Sequence, residues 1–485
     1  MSLRPLRRIA CEGAPSLKGY GALLVAVALT ALMAPGCTAL LAGRTAGGGG
    51  VHAEAKPTVA DGEATSLEAE LSAAGQASDG YVAGSATSHR PAGEDSGFPS
   101  GPMIRVGLGH GLSEARATAA GAFDVSVYSE ETRSWSCRGG DEWTFRASPS
   151  RLRGANGSGS FDIDAGTVRL TPTGPWPVVY DGVKYRGELE LYLDGAGGLA
   201  VVNVVDLESY LRGVVPKEIG PRPEIEIEAV KAQAVAARTY AVASWGKRED
   251  GDFDVFSTVA DQVYGGRDVE NDVCDRAISE TAGVVATYDG VPVYAYFFAN
   301  CGGKTAARDD VWELPAEPYL TSVDDRGRGS NGKPFCRDGS RHTWTVEWTG
   351  AELESAVREA LPNVASTPVS GSVGRVEGLR VTGRTSSGRV KWLEVRTDAG
   401  TYRVFGDKVR WLLRRPEGGI LWSAWFDLDV DMRGGRVASL RAEGRGYGHG
   451  VGMCQHGAIG MARAGYGFEE ILRHYYKGVE LARIE

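Results

Sequence analysis

The chain has 485 residues, 24% of them charged and 42% hydrophobic, a globular balance with length enough for more than one core. A formal net charge of −9 without a long basic run argues against nucleic acid as a partner. The 68 glycines favour turns, flexible tails and strands over a long-helix architecture.

Arg4, Arg7, Arg8 and Lys18 precede an apolar stretch from Ala22 to Met33, followed by Ala34-Pro-Gly-Cys37. This order of positive leader, apolar core and small-residue site predicts an export signal over residues 1–36. The apolar core is too short for a comfortable membrane span. Cys37 after a small residue resembles a lipoprotein box, which makes Cys37 the expected site of acylation and the body a membrane-anchored protein. Plain secretion with nearby cleavage and an uncleaved anchor are the alternatives. All three place the body outside the cytoplasm, in the cell envelope. Residues 37–101 are rich in Ala, Gly and Ser and poor in large apolar side chains, so they read as a disordered tether.

Order is expected from residue 102. Alternation in Ile104-Arg-Val-Gly-Leu, Phe123-Asp-Val-Ser-Val-Tyr, Val168-Arg-Leu-Thr, Val178-Val-Tyr and Leu189-Glu-Leu-Tyr-Leu predicts strands, grouped as a β-rich subdomain over residues 102–200. Residues 201–485 form the expected core. Leu199 to Val205 suits a buried strand. Asp206 caps a predicted helix from Leu207 to Val214, which Pro216 ends. Pro223 opens a long helix from Glu224 to Trp245, almost all small or apolar around its circumference, and therefore interior. Strands are expected again at Val284–Tyr288, Val291–Phe298, Trp344–Trp348, Val376–Val381, Val390–Val395 and Tyr402–Phe405. Short helices are expected near Ala351–Ala360 and Gly406–Leu413. The tail Ala458–Lys477 reads as two helical segments broken around Gly465 and Gly467. The fold class is α+β: mixed β-rich subdomains around a helical catalytic segment with a long buried Ala-rich helix.

Four places carry residues suited to chemistry. Glu218 follows the Pro-ended helix. A loop carboxylate walled by apolar groups keeps its proton, as cleavage of a glycosidic bond requires; the alternative is a surface glutamate in a turn. Gln233, Arg238 and Tyr240 lie on a helix without a solvent face, so each needs a buried partner or lines a cavity. Gly444 to Ala458 combines many glycines with His449, Cys454, Gln455 and His456. It reads as a metal site, as a Cys–His pair, or as a Gly-rich turn against the core, though no thiol-hydrolase signature accompanies Cys454. Finally, Gly302-Gly-Lys-Thr305 lacks the spacing of a phosphate loop, and an exported protein has no ATP supply. Of 7 cysteines, Cys11 leaves with the signal and Cys37 carries lipid, so an odd number remains: Cys137, Cys274, Cys301, Cys336 and Cys454. Cys301, Cys336 and Cys454, with His342, read as a disulfide pair, a zinc site or unrelated thiols.

Taken together, these segments resemble the SpoIID/LytB family. The resemblance rests on Asp206-Leu-Glu-Ser-Tyr-Leu-Arg-Gly-Val-Val-Pro-Lys-Glu218, the following Glu228 to Ala241, and Gln262-Val-Tyr-Gly-Gly266. Phe298 to Thr305 with Asp310-Val-Trp312 and Pro318-Tyr-Leu320 continues it, and Gly446 to Ala458 with Ile471 to Gly478 closes it. It runs from about Ile104 to Leu481. The family includes a lytic transglycosylase acting on glycan stripped of stem peptides, and enhancers of a wall amidase. The resemblance implies that Glu218 is the catalytic acid and then base, yielding 1,6-anhydro-muramyl ends. It implies that Gln233, Arg238, Tyr240, Gln262, Tyr264, His449 and Gln455 line the substrate groove. Peptidoglycan glycan strands are the implied partner, with a cell-wall amidase beside them. No cofactor is required by this chemistry, and zinc stays open only for Cys301, Cys336 and Cys454. Two departures stand out. Ile219-Gly220 replaces the frequent Met-Pro, and Phe253 to Asp261 lacks the His and Cys through which some sporulation members bind zinc.

Overall fold

The computed structural model describes residues 7–9, 101–246 and 253–484. The export signal, the tether and Cys37 lie outside the described residues, apart from Arg7–Ile9, whose backbone runs parallel to the last strand, Glu480–Ile484. No helix among the described residues is long and apolar enough to cross a membrane. The fold is α+β.

Residues 101–206 supply a six-stranded antiparallel sheet and six strands of a seven-stranded one, whose edge strand Val255–Phe256 pairs in parallel with Met103–Leu112. The six-stranded sheet contains Glu114–Ala119, Trp143–Ser148, Arg151–Asn156 and Gly159–Ile163; the seven-stranded sheet contains Met103–Leu112, Leu199–Asp206 and Glu188–Leu193 side by side. Alternating side chains supply the core, with Val125, Leu170, Leu189 and Leu191 fully buried. Trp143, Phe145 and Phe161 pack ring against ring with centroids 6.1–6.3 Å apart.

The structure places no boundary at residue 200. Leu199–Asp206 pairs with strands on both sides, and its buried face joins the core that the helices share. One apolar cluster therefore runs from Ile104 through the helical segment to Ile484, interrupted by a second cluster between Trp344 and Ala442. That second unit has two three-stranded sheets and the helix Gly350–Val364, opened by a reciprocal cap between Thr349 and Glu352. Arg389, fully buried, joins the two units: its guanidinium donates to the carbonyls of Lys304 (2.8 Å) and Cys301 (3.1 Å).

Helix α1 spans Leu207–Glu218 and is capped by the Asp206 carboxylate, which accepts from Ser209 N at 2.9 Å. It does not end at Pro216. Proline here removes only its own N–H from the last turn, and Ile219 N still reaches Val215 O at 3.1 Å. Termination comes at Gly220, whose φ of 74° suits glycine. A 3₁₀ turn, Glu224–Glu226, leads into α2, Ile227–Ser244, buried on nearly every side. Helix α3, Asp272–Glu280, packs on both. The expected strand Val291–Phe298 is broken into Val291–Pro292 and Phe297–Phe298, the second pairing in parallel with Met453–Cys454. Proline lacks the N–H that a continuous ladder would need. The tail helices are Gln455–Arg463 and Phe468–Tyr475.

Candidate active site

Glu218 is the last residue of α1 and half-buried. One carboxylate oxygen accepts from Val263 N at 3.0 Å, and the Gln455 side chain lies near enough to favour the ionised form. Burial pushes its pKa up to about 7, against the smaller opposing effects of the Val263 bond, of Gln455 and of Lys217. The negative end of the α1 dipole, at the same place, favours the neutral acid as well. The placement is a direct consequence of α1 continuing through Pro216: the acid is held on a helix end rather than on a loop.

Gln455 opens the C-terminal helix Gln455–Arg463, so the last sequence block meets the first at this carboxyl. Its Nε2 donates to Gln233 Oε1 at 3.3 Å. Gln233 Nε2 is buried without a hydrogen-bond partner among the described residues, an arrangement costing about 1–3 kcal/mol. Glu218, Gln455 and Gln233 thus form one chain of polar groups.

Tyr240 belongs to a neighbouring wall. Its hydroxyl donates to Asp261 Oδ1 at 2.7 Å, and Asp261 Oδ2 accepts from Phe256 N at 2.9 Å. The ring lies 5.8 Å from Tyr296, which lies 4.9 Å from Trp312; Trp312 lies 5.1 Å from His449. Tyr296, Trp312 and His449 are half-buried, so part of each ring surface stays open. His449 is not free to carry protons. Its Nε2 faces Phe297 O at 3.0 Å, its Nδ1 accepts from Val451 N at 3.1 Å, and burial pushes its pKa down to about 4.

Three residues expected in a groove are struts instead. Arg238, fully buried, makes a two-pronged pair with Glu208 (2.8 and 2.7 Å) and donates to Val284 O and Ile278 O. Gln262 accepts from Tyr210 Oη at 3.1 Å and donates to Ala237 O. Tyr264 donates to Asn203 Oδ1 at 2.9 Å inside the core. In each case a polar group with no solvent face found a partner within the fold.

The C-terminal block does not form a Cys–His pair. Cys454 is fully buried, its sulfur accepts from Cys301 N (3.1 Å) and Gly457 N (3.3 Å), and burial pushes the thiol up. His456 faces Ser340 Oγ at 3.2 Å. Cys301, Cys336 and Cys454 do converge, and Asp325 joins them. Asp325, like Asp261, Tyr296 and the buried contacts of Gln233, was not singled out by spacing; its partners come from segments far apart in the chain.

An uncharacterized protein of Brachyspira hyodysenteriae is 30% identical over 302 residues, covering 62% of this chain and 73% of its own length. The family model described as stage II sporulation protein matches residues 195–288, the stretch holding α1, Glu218 and α2. The chain belongs to the SpoIID/LytB family. Stage II sporulation protein D of Bacillus subtilis is 28% identical over 300 residues, 59% of this chain and 76% of that protein. An amidase enhancer of Bacillus subtilis is 28% identical over 299 residues, 56% of this chain and 40% of that protein. Within this SpoIID/LytB chain, residues 306–452 match a domain of unknown function, which contains the second apolar cluster.

Proposed function

We propose that this SpoIID/LytB protein is a lytic transglycosylase that cuts peptidoglycan glycan strands outside the cytoplasm. The observation that carries the reading is Glu218: a half-buried carboxyl on a helix end, accepting from Val263 N, with its pKa pushed up to about 7 by burial. The acid gives its proton to the glycosidic oxygen as the C1–O bond of muramic acid breaks. The resulting carboxylate then takes the proton of the C6 hydroxyl, and O6 bonds to C1. No water enters, so one carboxyl serves both steps and the product carries a 1,6-anhydro end. The Tyr296–Trp312 surface offers apolar faces on which sugar rings stack.

The test is digestion of glycan strands stripped of stem peptides, read by mass spectrometry. Anhydro-muramyl ends support the proposal; strands that bind but stay intact overturn it. That second outcome favours the other reading, a glycan-binding enhancer of a separate amidase, which the name of the Bacillus subtilis relative motivates.

The pH profile follows from the same carboxyl. The starting acid must be protonated, so the rate falls as pH rises through about 7. Gln455→Leu removes a polar group that favours the ionised form, so the falling limb moves to higher pH. Initial rates across the neutral range check this, and an unmoved limb would show that Gln455 does not tune the acid.

A further inference from the structure

Three thiols and one carboxylate meet in a sealed place beside the site. The sulfurs of Cys301, Cys336 and Cys454 and one oxygen of Asp325 all lie within 4.8 Å of one another, and all four residues are fully buried. We propose that these four side chains bind one zinc ion that fastens the C-terminal block to the rest of the fold.

The geometry suits a single tetrahedral ion. Bonds of about 2.3 Å to sulfur put neighbouring ligand atoms roughly 3.8 Å apart, and Cys301 Sγ lies 3.4 Å from Cys336 Sγ. Backbone amides surround the sulfurs as they do around thiolates: Cys301 N and Gly457 N point at Cys454, and Gly303 N points at Cys301 (3.4 Å). Asp325 is oriented from outside the cluster, accepting from Tyr475 Oη at 2.6 Å and from Cys336 N at 2.9 Å. His342 Nδ1 stands 3.5 Å from Cys336 Sγ. Gly457 leaves room for this arrangement, since a Cβ there would overlap Tyr475 Oη and the Asp325 carboxylate.

A disulfide explains less. It would consume two sulfurs and leave a third thiol facing a buried carboxylate. The neighbouring guanidinium, Arg389, donates to the carbonyls of Lys304 and Cys301 and to Ser387 Oγ, not to Asp325. A divalent cation supplies the missing positive charge, with the three thiols releasing their protons to solvent on binding.

Cys301 comes from the loop after Phe297–Phe298, Asp325 from the segment leading to the turn Phe335–Asp338, Cys336 from that turn and Cys454 from the cap of the helix Gln455–Arg463. Cys454 immediately precedes Gln455, so the ion fixes the start of the helix whose first side chain bonds Gln233 and bears on the acidity of Glu218. This site is distinct from the His and Cys ligands expected before the Gln-Val-Tyr block, which this chain lacks.

The test is elemental analysis of the exported full-length protein purified without chelator, followed by cobalt substitution. About one zinc per chain is expected, and cobalt should give a thiolate charge-transfer band. Cys336→Ser should lose both. Because that variant also risks misfolding, Asp325→Asn serves as the second: it should keep the thiolate band, change the ligand-field spectrum and bind zinc about 10–100-fold more weakly. Metal-free protein with a Cys301–Cys336 disulfide in peptide maps, or with three thiols open to alkylation in the native state, overturns the proposal. Metal content is read without glycan, so its failure leaves the reading of Glu218 standing.

Discussion

Glu218→Gln is expected to remove glycan cleavage and, at the same time, to make the protein more stable at neutral pH. A positioned general acid and base contributes about 10²- to 10⁴-fold, so strand cleavage should fall by at least that order. The gain in stability has the same origin. The folded-state pKa is near 7 against an ordinary 4.5, so the folded chain holds the proton longer than the unfolded chain. As pH rises from 4.5 to 7 the unfolded state ionises first, and folding stability drains away through that window. Above pH 7 the full penalty, about 3 kcal/mol, is in place. Glutamine carries no charge and escapes it, while its carbonyl can still accept from Val263 N. Thermal unfolding of wild type and variant should therefore coincide below pH 4.5 and diverge above 7, with the variant higher. Equal midpoints at both pH values would show that Glu218 is not under strain.

Arg238→Met is expected to cost about 1.5–3 kcal/mol of stability, the range for losing charge-assisted hydrogen bonds, because the Glu208 carboxylate left behind is 35% exposed and regains water. The guanidinium ties α2 to Glu208 on α1, to the end of α3 at Ile278 O, and to the strand starting at Val284. Glu208 in turn accepts from Gly283 N at 3.1 Å. Removing the fork leaves two buried carbonyls and a carboxylate short of donors. Arg238→Lys should fall between, because an ammonium cannot reproduce the two-pronged geometry. Urea unfolding measures the loss. If Arg238 instead touched glycan, substitution would leave unfolding unchanged and weaken substrate binding alone.

These two residues show how far the sequence could be read. Asp206 as a cap and the Ala-rich circumference of α2 determine local structure through neighbours a few positions away, so both elements were legible. Pro216 misled because its cost depends on where in a helix it falls: in the last turn it removes one bond, and Glu218 moved from loop to helix end. Arg238 was legible as a buried cation in need of a partner. Family resemblance placed it in a groove; packing gave it Glu208. The strands Glu114–Ala119 and Arg151–Asn156 went unread because the first turns in only Ala115, Ala117 and Ala119 and the second only Leu152 and Gly154, too little hydrophobic contrast to mark a strand. Asp325 was invisible for a different reason. It meets Cys301, Cys336 and Cys454 only through the fold, and no spacing along the chain encodes that meeting.

The most direct measurement is the titration of the Glu218 carboxyl itself, by infrared difference spectra between wild type and Glu218→Gln across pH. The account predicts a protonated carboxyl stretch that persists past pH 6 and disappears around pH 7. A stretch already lost by pH 5, in the range of an ordinary glutamate, would contradict it, because the residue would then have no proton to give at neutrality.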